Sequence, residues 1–228
     1  MTLRGRDWVL AVGAVVVAGL CVWAGVWQID RLGARRARNA EVRAARERPP
    51  LEITGSGLAA ESVANRRVTA RGVFDYGHER LRRGRTYKGM PGVHVVTPLR
   101  LDDGSAVLVD RGFVPSPDAA RIDLPAFRGP DTALVEGLGV ALPRGRGDVD
   151  PLALRDSVPY ALAPFGIQQI PSARPPAQPA ARHAPIALPV PALDNGPHLA
   201  YVVQWFSFAM IVLVGTGALL LRGRVPPR

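Results

Sequence analysis

Two long runs of apolar residues, one near each end of the sequence, restrict what this chain can fold into. The first run extends from Trp8 to Ile29 and the second from Leu199 to Leu221, and neither contains a charged side chain. A helix needs about 20 apolar residues to cross the hydrocarbon core of a bilayer. Both runs reach that length, so the sequence predicts two transmembrane helices, over residues 8–29 and 198–221.

The first run could instead belong to a cleaved signal peptide, and the second to a buried core helix. The apolar part of a signal peptide is shorter, about 7 to 15 residues, and a small-residue cleavage site follows it. Here the run is longer and ends in Trp27 and Gln28. A lipoprotein signal would need a small residue before its cysteine, but Leu20 precedes Cys21. The length and uniform apolarity of both runs favour two retained membrane helices.

Two spans place both ends of the chain on the same side of the membrane. The arginines that flank the two spans are too evenly distributed to fix the orientation by the excess of positive charge. Long segments cross a membrane largely regardless of their charge. We therefore predict a bacterial plasma-membrane protein with cytoplasmic ends, residues 1–7 and 222–228, and an extracytoplasmic central segment.

Composition excludes several classes of protein. The net charge is +10, and Lys88 is the only lysine among 29 basic residues. A basic chain suits either nucleic acid or anionic lipid, and the two apolar runs favour lipid and argue against nucleic acid. With Cys21 as its single cysteine, the chain forms no internal disulfide and cannot be a multi-cysteine copper or zinc carrier.

The central segment begins with a basic helix and continues as strands. Residues 30–50 are rich in arginine and helix-forming residues, and Pro49 and Pro50 end them. Their arginines lie over lipid phosphates or form a solvated face. Residues 51–170 carry five predicted strands: Val68–Phe74, Gly92–Leu101, Ser105–Val114, Thr132–Leu142 and Tyr160–Ile170.

The Asp103–Gly104 pair between two apolar-rich runs is typical of a β-hairpin. A loop follows at residues 143–151, and residues 171–197, with eight prolines, predict an extended tether. The fold class is therefore α+β, with two transmembrane helices flanking a mostly antiparallel β-domain. The arginines of residues 80–85 suit a solvated or lipid-facing surface, or a docking patch for an acidic partner.

Unusual side chains gather where the first span ends and the second begins. Those of the first span are Trp23, Trp27, Gln28 and Arg31, and those of the second are His198, Tyr201 and Trp205. A helical hairpin brings these two ends into one leaflet, and their spacing places most of each set on one helix face. Small residues (Gly13, Ala14, Ala18, Gly215, Thr216 and Gly217) predict close approach of the two helices.

Two interpretations of this cluster remain open from spacing alone. Tryptophan and tyrosine commonly form a belt at the level of the lipid headgroups. Alternatively, the cluster is a site between helices, with an imidazole facing an indole, that takes a flat, apolar, anionic ligand. A neutral imidazole can ligate heme iron, and Arg31 could pair with propionates.

Three sequence blocks together resemble the surfeit-locus family of cytochrome c oxidase assembly factors. They are GVWQIDR from Gly25 to Arg31, GMPGVHVVTPLRLDDGSAVLVDRGFVP from Gly89 to Pro115, and GPHLAYVVQWFSF from Gly196 to Phe208. The family's patterns at these places are GxWQxxR, PGxxVxTPL followed by VxRGW, and HxxYxxxWF. The resemblance covers nearly the whole chain except the basic helix and the proline-rich tether.

The resemblance implies an assembly factor rather than an enzyme. Such a protein would bind heme a and aid its insertion into the catalytic subunit of cytochrome c oxidase, with heme a synthase and membrane lipids as further partners. His198 corresponds to the proposed heme contact and candidate iron ligand, and Trp27 and Gln28 correspond to the pattern residues of the first span. The alternative is a membrane-anchored adaptor that stabilises an oxidase assembly intermediate without a cofactor.

Two positions depart from the family pattern, Asp110 for asparagine and Phe113 for tryptophan. We expect them at the surface of the β-domain, with Asp110 in a local ion pair with Arg111. The other histidines show no metal-ligand spacing: His94 is expected to pack within its strand and His183 to be solvated. No nucleophile elbow or phosphate-binding loop indicates an enzyme.

Overall fold

Helix α1, Gly5–Glu47, is the longest element of this structure, a computed structural model that describes residues 5–142, 154, 156–172 and 183–222. Its first half is the apolar run, and its second half consists mainly of alanine, arginine and glutamate, which favour helix. The helix ends directly before Pro49 and Pro50, where the missing amide hydrogen stops it. The apolar and basic stretches thus form one unbroken helix.

Helix α3, His198–Arg222, is the second long helix, and α2, Ala60–Val63, is a single turn. Arg222 lies in the last turn of α3, where a cation stabilises the negative end of the helix dipole. Both α1 and α3 are long and apolar enough to cross a membrane.

The chain divides into two units. The first consists of Met1–Glu41 and Leu193–Arg228, and therefore contains most of α1 and all of α3. The second consists of Val42–Ala192 and contains the strands. The strands are β1 Leu51–Ile53, β2 Arg67–Phe74, β3 Arg80–Tyr87, β4 Met90–Arg100, β5 Ala106–Pro115, β6 Thr132–Ala141 and β7 Leu162–Gln169.

The strands form one sheet in the order β1-β2-β6-β7-β5-β4-β3. Strand β2 also pairs with β4, through Val73 with Arg100 and Phe74 with Leu99. Strands β2, β6, β7, β5 and β4 therefore close into a ring, and β1 and β3 extend it on either side. Closure pairs the backbone groups that an open sheet would leave free at its edges.

The ring encloses the main core of the second unit. Side chains such as Ile53, Val68, Leu99 and Phe165 lie within it and are almost completely buried. Strand β5 lies between β4 and β7 and is buried along nearly its whole length, which explains why its sequence is continuously apolar apart from Asp110 and Arg111.

The prediction of a β-rich domain next to two apolar helices is confirmed, and the sheet is mixed. Five strand pairs are antiparallel, including the predicted hairpin of β4 and β5, while β1–β2 and β5–β7 are parallel. Strands β1 and β3 were not predicted from the sequence. Strand β3 was missed because its arginines suggest a solvated face, whereas they form an edge strand in which Arg82 contacts Asp110.

Part of the proline-rich segment packs on the sheet rather than acting only as a tether. Ile186 and Phe113 exchange two backbone hydrogen bonds, of 2.9 and 2.8 Å. This pairing requires Gly112, whose φ is 127° and whose Cα lies so close to the carbonyl of Ile186 that no Cβ fits. Residues 173–182 of the segment and the predicted loop at 143–151 lie outside the described residues.

The pattern around VxRGW is therefore a packing feature. Phe113 is fully buried and lies over Gly92, where a Cβ would collide with its ring. Asp110 is also buried, and its carboxylate contacts His94 rather than Arg111. The expectation that Asp110 and Phe113 lie at the surface, with an ion pair between Asp110 and Arg111, is wrong, because β5 is a central strand rather than an edge.

We expect Gly112→Ala to destabilise the second unit by about 1 to 3 kcal/mol, since it adds both backbone strain and a clash with Ile186. The measurement is urea unfolding of the detergent-solubilised full chain, followed by hydrogen exchange in peptides from β4 and β5. Tryptophan fluorescence would not report on this unit, because the four tryptophans lie in α1 and α3.

The matched control is Gly57→Ala, a position where an added Cβ meets no atom within 4 Å. It should leave the unfolding free energy nearly unchanged. Equal effects of the two substitutions would contradict the role assigned to Gly112.

Candidate functional site

Helices α1 and α3 form an antiparallel hairpin. Ala18 and Cys21 pack with Ala209 and Trp205, Gly25 lies against the ring of Phe206, and Gln28 meets His198. As residue numbers rise along α1, those of its partners on α3 fall, which defines the antiparallel direction. The contact stripe of α1 follows a spacing of three and four residues: Ala14, Ala18, Cys21, Gly25, Gln28 and Leu32.

The small residues that allow this contact are only partly those predicted. Ala14 and Ala18 are buried in the stripe, as expected for close packing. The prediction is wrong at Gly13, Gly215 and Gly217, where an added Cβ would meet no atom within 4 Å. The glycine that matters is Gly25, because an added Cβ there would approach Phe206 to 3.0 Å.

His198 is held by a hydrogen bond across the hairpin. Its Nδ1 lies 2.8 Å from Oε1 of Gln28, a residue 170 positions earlier in the chain. The imidazole is half-buried, and it contacts an amide of α1 rather than an indole. This pair brings together the end of the first apolar run and the start of the second.

The turn that precedes α3 positions His198. Asn39 of α1 donates to the carbonyl of Asp194, at 2.7 Å, and to the side chain of Asn195. Gly196, with a φ of +67°, donates its amide to the carboxylate of Asp194 at 2.8 Å. The turn is therefore bonded both to itself and to α1. Asn39 was not predicted as a site residue, although it continues the seven-residue spacing from Leu32.

The other predicted residues of the first span lie beside the contact stripe. Trp27 is 45% exposed, and the guanidinium of Arg31 lies 5.3 Å from the centre of its ring. Trp23 is 68% exposed. Trp27 precedes Gln28 by one residue and is therefore turned about 100° around the helix from it. The structure thus brings Gln28 to His198 but leaves the two tryptophans and Arg31 on the outer surface of α1.

The predicted residues of α3 divide in the same way. Trp205 is half-buried between the helices, and its ring meets that of Phe208 edge-on at 5.9 Å. Tyr201 is 44% exposed. With about 100° per residue and antiparallel helices, Tyr201 and Arg31 lie to the same side of the contact stripe. That side is also the one toward which Gln28 and His198 are displaced, so these four residues share one flank of the hairpin.

The second unit, Val42–Ala192, is called the β-unit below, and it contains a separate network of buried charges around Glu79. Its carboxylate accepts from Arg111 at 3.2 Å, from Arg128 at 3.0 Å and from the hydroxyl of Thr97 at 3.1 Å. The guanidinium of Arg111 also lies over the rings of Phe74 and Tyr76, within 5.4 Å of their centres. This network links β4, β5 and the loop that carries Arg128, and it is structural because its charges satisfy one another.

A cavity of about 220 Å³ opens on the outside of the strand ring. Apolar side chains such as Val96 and Leu108 line it, together with Arg82 and Asp110. These two charged groups already pair with each other at 3.3 Å, and Asp110 also pairs with His94 at 2.8 Å. The cavity therefore has no charged group left over for a ligand among the residues that line it.

The remaining histidines of the β-unit also have local partners. Asp75 bonds His78 and the hydroxyl of Tyr160, each at 2.7 Å. His183 is exposed beside the ring of Phe127. Over the part of the chain that the structure describes, no three His, Cys, Asp or Glu side chains are grouped so that they could hold a metal ion.

These features define a protein with two membrane-type helices in a hairpin, whose intervening sequence forms a β-rich unit. The model of the SURF1 family matches residues 15–210, and the chain therefore belongs to the SURF1 family. This confirms the resemblance seen in the three sequence blocks. Membership implies a role in cytochrome oxidase assembly rather than catalysis.

Relatives of similar length carry the same family name. An uncharacterised SURF1-like protein of Mycobacterium bovis is 28% identical over 234 residues, which cover 91% of this chain and 82% of the relative. A counterpart in Mycobacterium tuberculosis gives the same values. A SURF1-like protein of Monosiga brevicollis is 28% identical over 231 residues, covering 92% of this chain and 85% of the relative.

We expect Glu79→Ala to destabilise the β-unit by about 3 to 5 kcal/mol, because it leaves the buried guanidinium of Arg111 without a carboxylate. Urea unfolding of the full chain measures the change. Glu52→Ala, which removes an exposed carboxylate from β1, should cost no more than about 0.5 kcal/mol. A loss at Glu79 as small as that at Glu52 would show that the network contributes little.

The pair of Asp75 and Tyr160 predicts a pH dependence. Burial alone would raise the pKa of Asp75, but hydrogen bonds from Tyr160 and His78 outweigh it and lower the pKa below 3.8. Burial and the bond to Asp75 raise the pKa of Tyr160, so its hydroxyl stays a donor at neutral pH. A carboxyl with a depressed folded pKa stabilises the fold above its unfolded pKa, and that contribution is lost as the pH falls through the folded value.

Tyr160→Phe should therefore lower the unfolding free energy at neutral pH, and the difference from wild type should shrink as the pH falls below 3.8. Urea unfolding at a series of pH values measures this. Tyr87→Phe is the control, because Tyr87 contacts Phe113 only through its ring. A wild-type to Tyr160→Phe difference that stays constant down to the lowest pH would refute the assignment.

Proposed function

We propose that this protein binds heme a at His198 and aids its insertion into the catalytic subunit of cytochrome c oxidase. The observation that carries the proposal is a half-buried imidazole at the junction of the two apolar helices, held by Gln28 at 2.8 Å. A histidine held in this way at membrane depth is more often functional than structural, because polar groups there are costly.

The chemistry of the residues on this flank fits a heme. Neutral imidazole is a ligand for heme iron, and the exposed rings of Tyr201 and Trp27 offer apolar contact to a flat macrocycle. Arg31 supplies a cation for propionate groups, and Trp205 would support the floor of the site from within the helix contact. Heme, when bound, would supply an iron that accepts an imidazole nitrogen, and the chain would hold and orient the imidazole of His198.

The membrane arrangement follows from the same proposal. Helices α1 and α3 would cross the bacterial plasma membrane with both ends in the cytoplasm, and the β-unit would lie outside. The His198–Gln28 pair would then sit near the outer boundary of the bilayer, where the hydrocarbon gives way to headgroups. As a chaperone for heme, the protein would receive its cargo from heme a synthase and pass it to the oxidase subunit within the membrane.

The test is purification in mild detergent from cells that make heme a, with visible spectra of the wild type and of His198→Ala. We expect substoichiometric heme with the wild type and its loss in the variant. His183→Ala, which removes an exposed histidine of the β-unit, should leave the heme content unchanged. Deletion of the gene should lower the heme a absorbance of the membranes.

Three results would count against the proposal. Equal heme content in the wild type and His198→Ala would remove His198 as the ligand. If no heme copurifies and His198→Ala still supports oxidase assembly, the protein is an adaptor that stabilises an assembly intermediate without a cofactor. A normal oxidase spectrum after deletion would count against both functions.

A further inference from the structure

The bond between Gln28 and His198 determines which nitrogen of the imidazole is free. It joins Nδ1 of the ring to Oε1 of the amide, at 2.8 Å. Gln28 is the one polar residue in the contact stripe of α1. A neutral imidazole has one nitrogen that donates and one that accepts. An amide oxygen can only accept, so this contact requires the proton to lie on Nδ1. The lone pair is then on Nε2.

The edge of the ring that carries Nε2 faces a residue without a side chain. A Cβ on Gly196 would lie 3.4 Å from Cδ2 and 3.5 Å from Nε2 of His198. The φ of Gly196, +67°, is also one that other residues rarely adopt. The turn before α3 thus places no side chain of its glycine beside the nitrogen that Gln28 keeps unprotonated.

We propose that Gln28 is the positioning residue that holds His198 as the Nδ1–H tautomer, so that Nε2 is the atom that binds the iron. This inference rests on the proposed heme-binding function and adds the atom and the residue that prepares it. Hydrogen bonds to the second nitrogen of a ligating histidine fix the tautomer and ring orientation and raise ligand basicity.

The first experiment titrates the detergent-solubilised full chain with ferric and ferrous heme. Gln28→Leu should weaken binding by about 10- to 100-fold. Gln28→Glu keeps an acceptor opposite Nδ1 and should retain the affinity. Because a carboxylate is the stronger acceptor, it should also raise the iron–histidine stretching frequency in resonance Raman spectra and make the reduction potential more negative. Gln204→Leu, an exposed glutamine of α3, is the matched control and should bind like the wild type.

The opposite orientation of the amide gives the opposite result. If the NH₂ group of Gln28 donated to Nδ1, the ring proton would lie on Nε2 and would block ligation there. Gln28→Leu would then leave binding unweakened, and Gln28→Glu, which can only accept, would move the proton to Nδ1 and tighten binding. That outcome overturns the inference. Unchanged binding in Gln28→Leu, or equal losses in Gln28→Leu and Gln204→Leu, would overturn it as well.

A second experiment separates this inference from the proposed function. Nuclear magnetic resonance of the heme-free chain with ¹⁵N-labelled histidine reports the tautomer of His198 directly, with His198→Ala used to assign the signal. We expect the Nδ1–H form in the wild type and a mixture in Gln28→Leu. An Nε2–H form in the wild type refutes the role of Gln28 whether or not heme binds. If the tautomer is as expected but the wild type binds no heme, the proposed function fails and the positioning geometry stands.

Discussion

The register between α1 and α3 is the constraint on which the candidate site depends. Small residues set it, since Ala18 and Gly25 leave space for Ala209 and the ring of Phe206. Polar side chains then lock it, because Gln28 reaches His198 and Asn39 reaches the turn at Asp194. A shift of either helix by one residue would turn Gln28 by about 100° away from the imidazole. Apolar packing and hydrogen bonding thus select the same alignment.

In the β-unit, as in the helical hairpin, glycines allow close packing that a side chain would prevent. Gly92 accommodates the ring of Phe113, and Gly112 accommodates the backbone of Ile186. The two charged residues of β5 are paired internally, Asp110 with His94 and Arg111 with Glu79. The most characteristic motif of the central segment therefore specifies packing, while the proposed heme site lies in the helical hairpin.

Much of this arrangement could be predicted from the sequence, for identifiable physical reasons. Uncharged runs of about 20 residues specify long helices through composition alone, and the Asp103–Gly104 pair specifies the hairpin of β4 and β5. Composition gave the wrong prediction at β3, because its arginines suggest a solvated segment, whereas the strand pairs with β4 across a bulge. The parallel pairs and the docking of Ile186 depend on contacts between distant parts of the chain, which local patterns do not encode.

The candidate site was predictable in its location but not in its pairing. Aromatic residues near His198 directed attention to Trp27, whereas the three- and four-residue spacing of Ala14, Ala18, Cys21 and Gly25 continues to Gln28. Extending that spacing to the polar end of the run would have identified Gln28 as the partner of His198. The position of Gly196 could not be inferred, because its importance comes from the orientation of the ring beside it.

The order of strands in the ring has a consequence for biosynthesis. Strand β7 lies between β6 and β5, yet it is the last strand to leave the ribosome. Until it arrives, β5 and β6 each present an unpaired edge, and edges of that kind recruit foreign strands. Maturation of the β-unit must therefore wait until β7, which ends at Gln169, has been translated, and the nascent chain is vulnerable to aggregation and proteolysis during that interval.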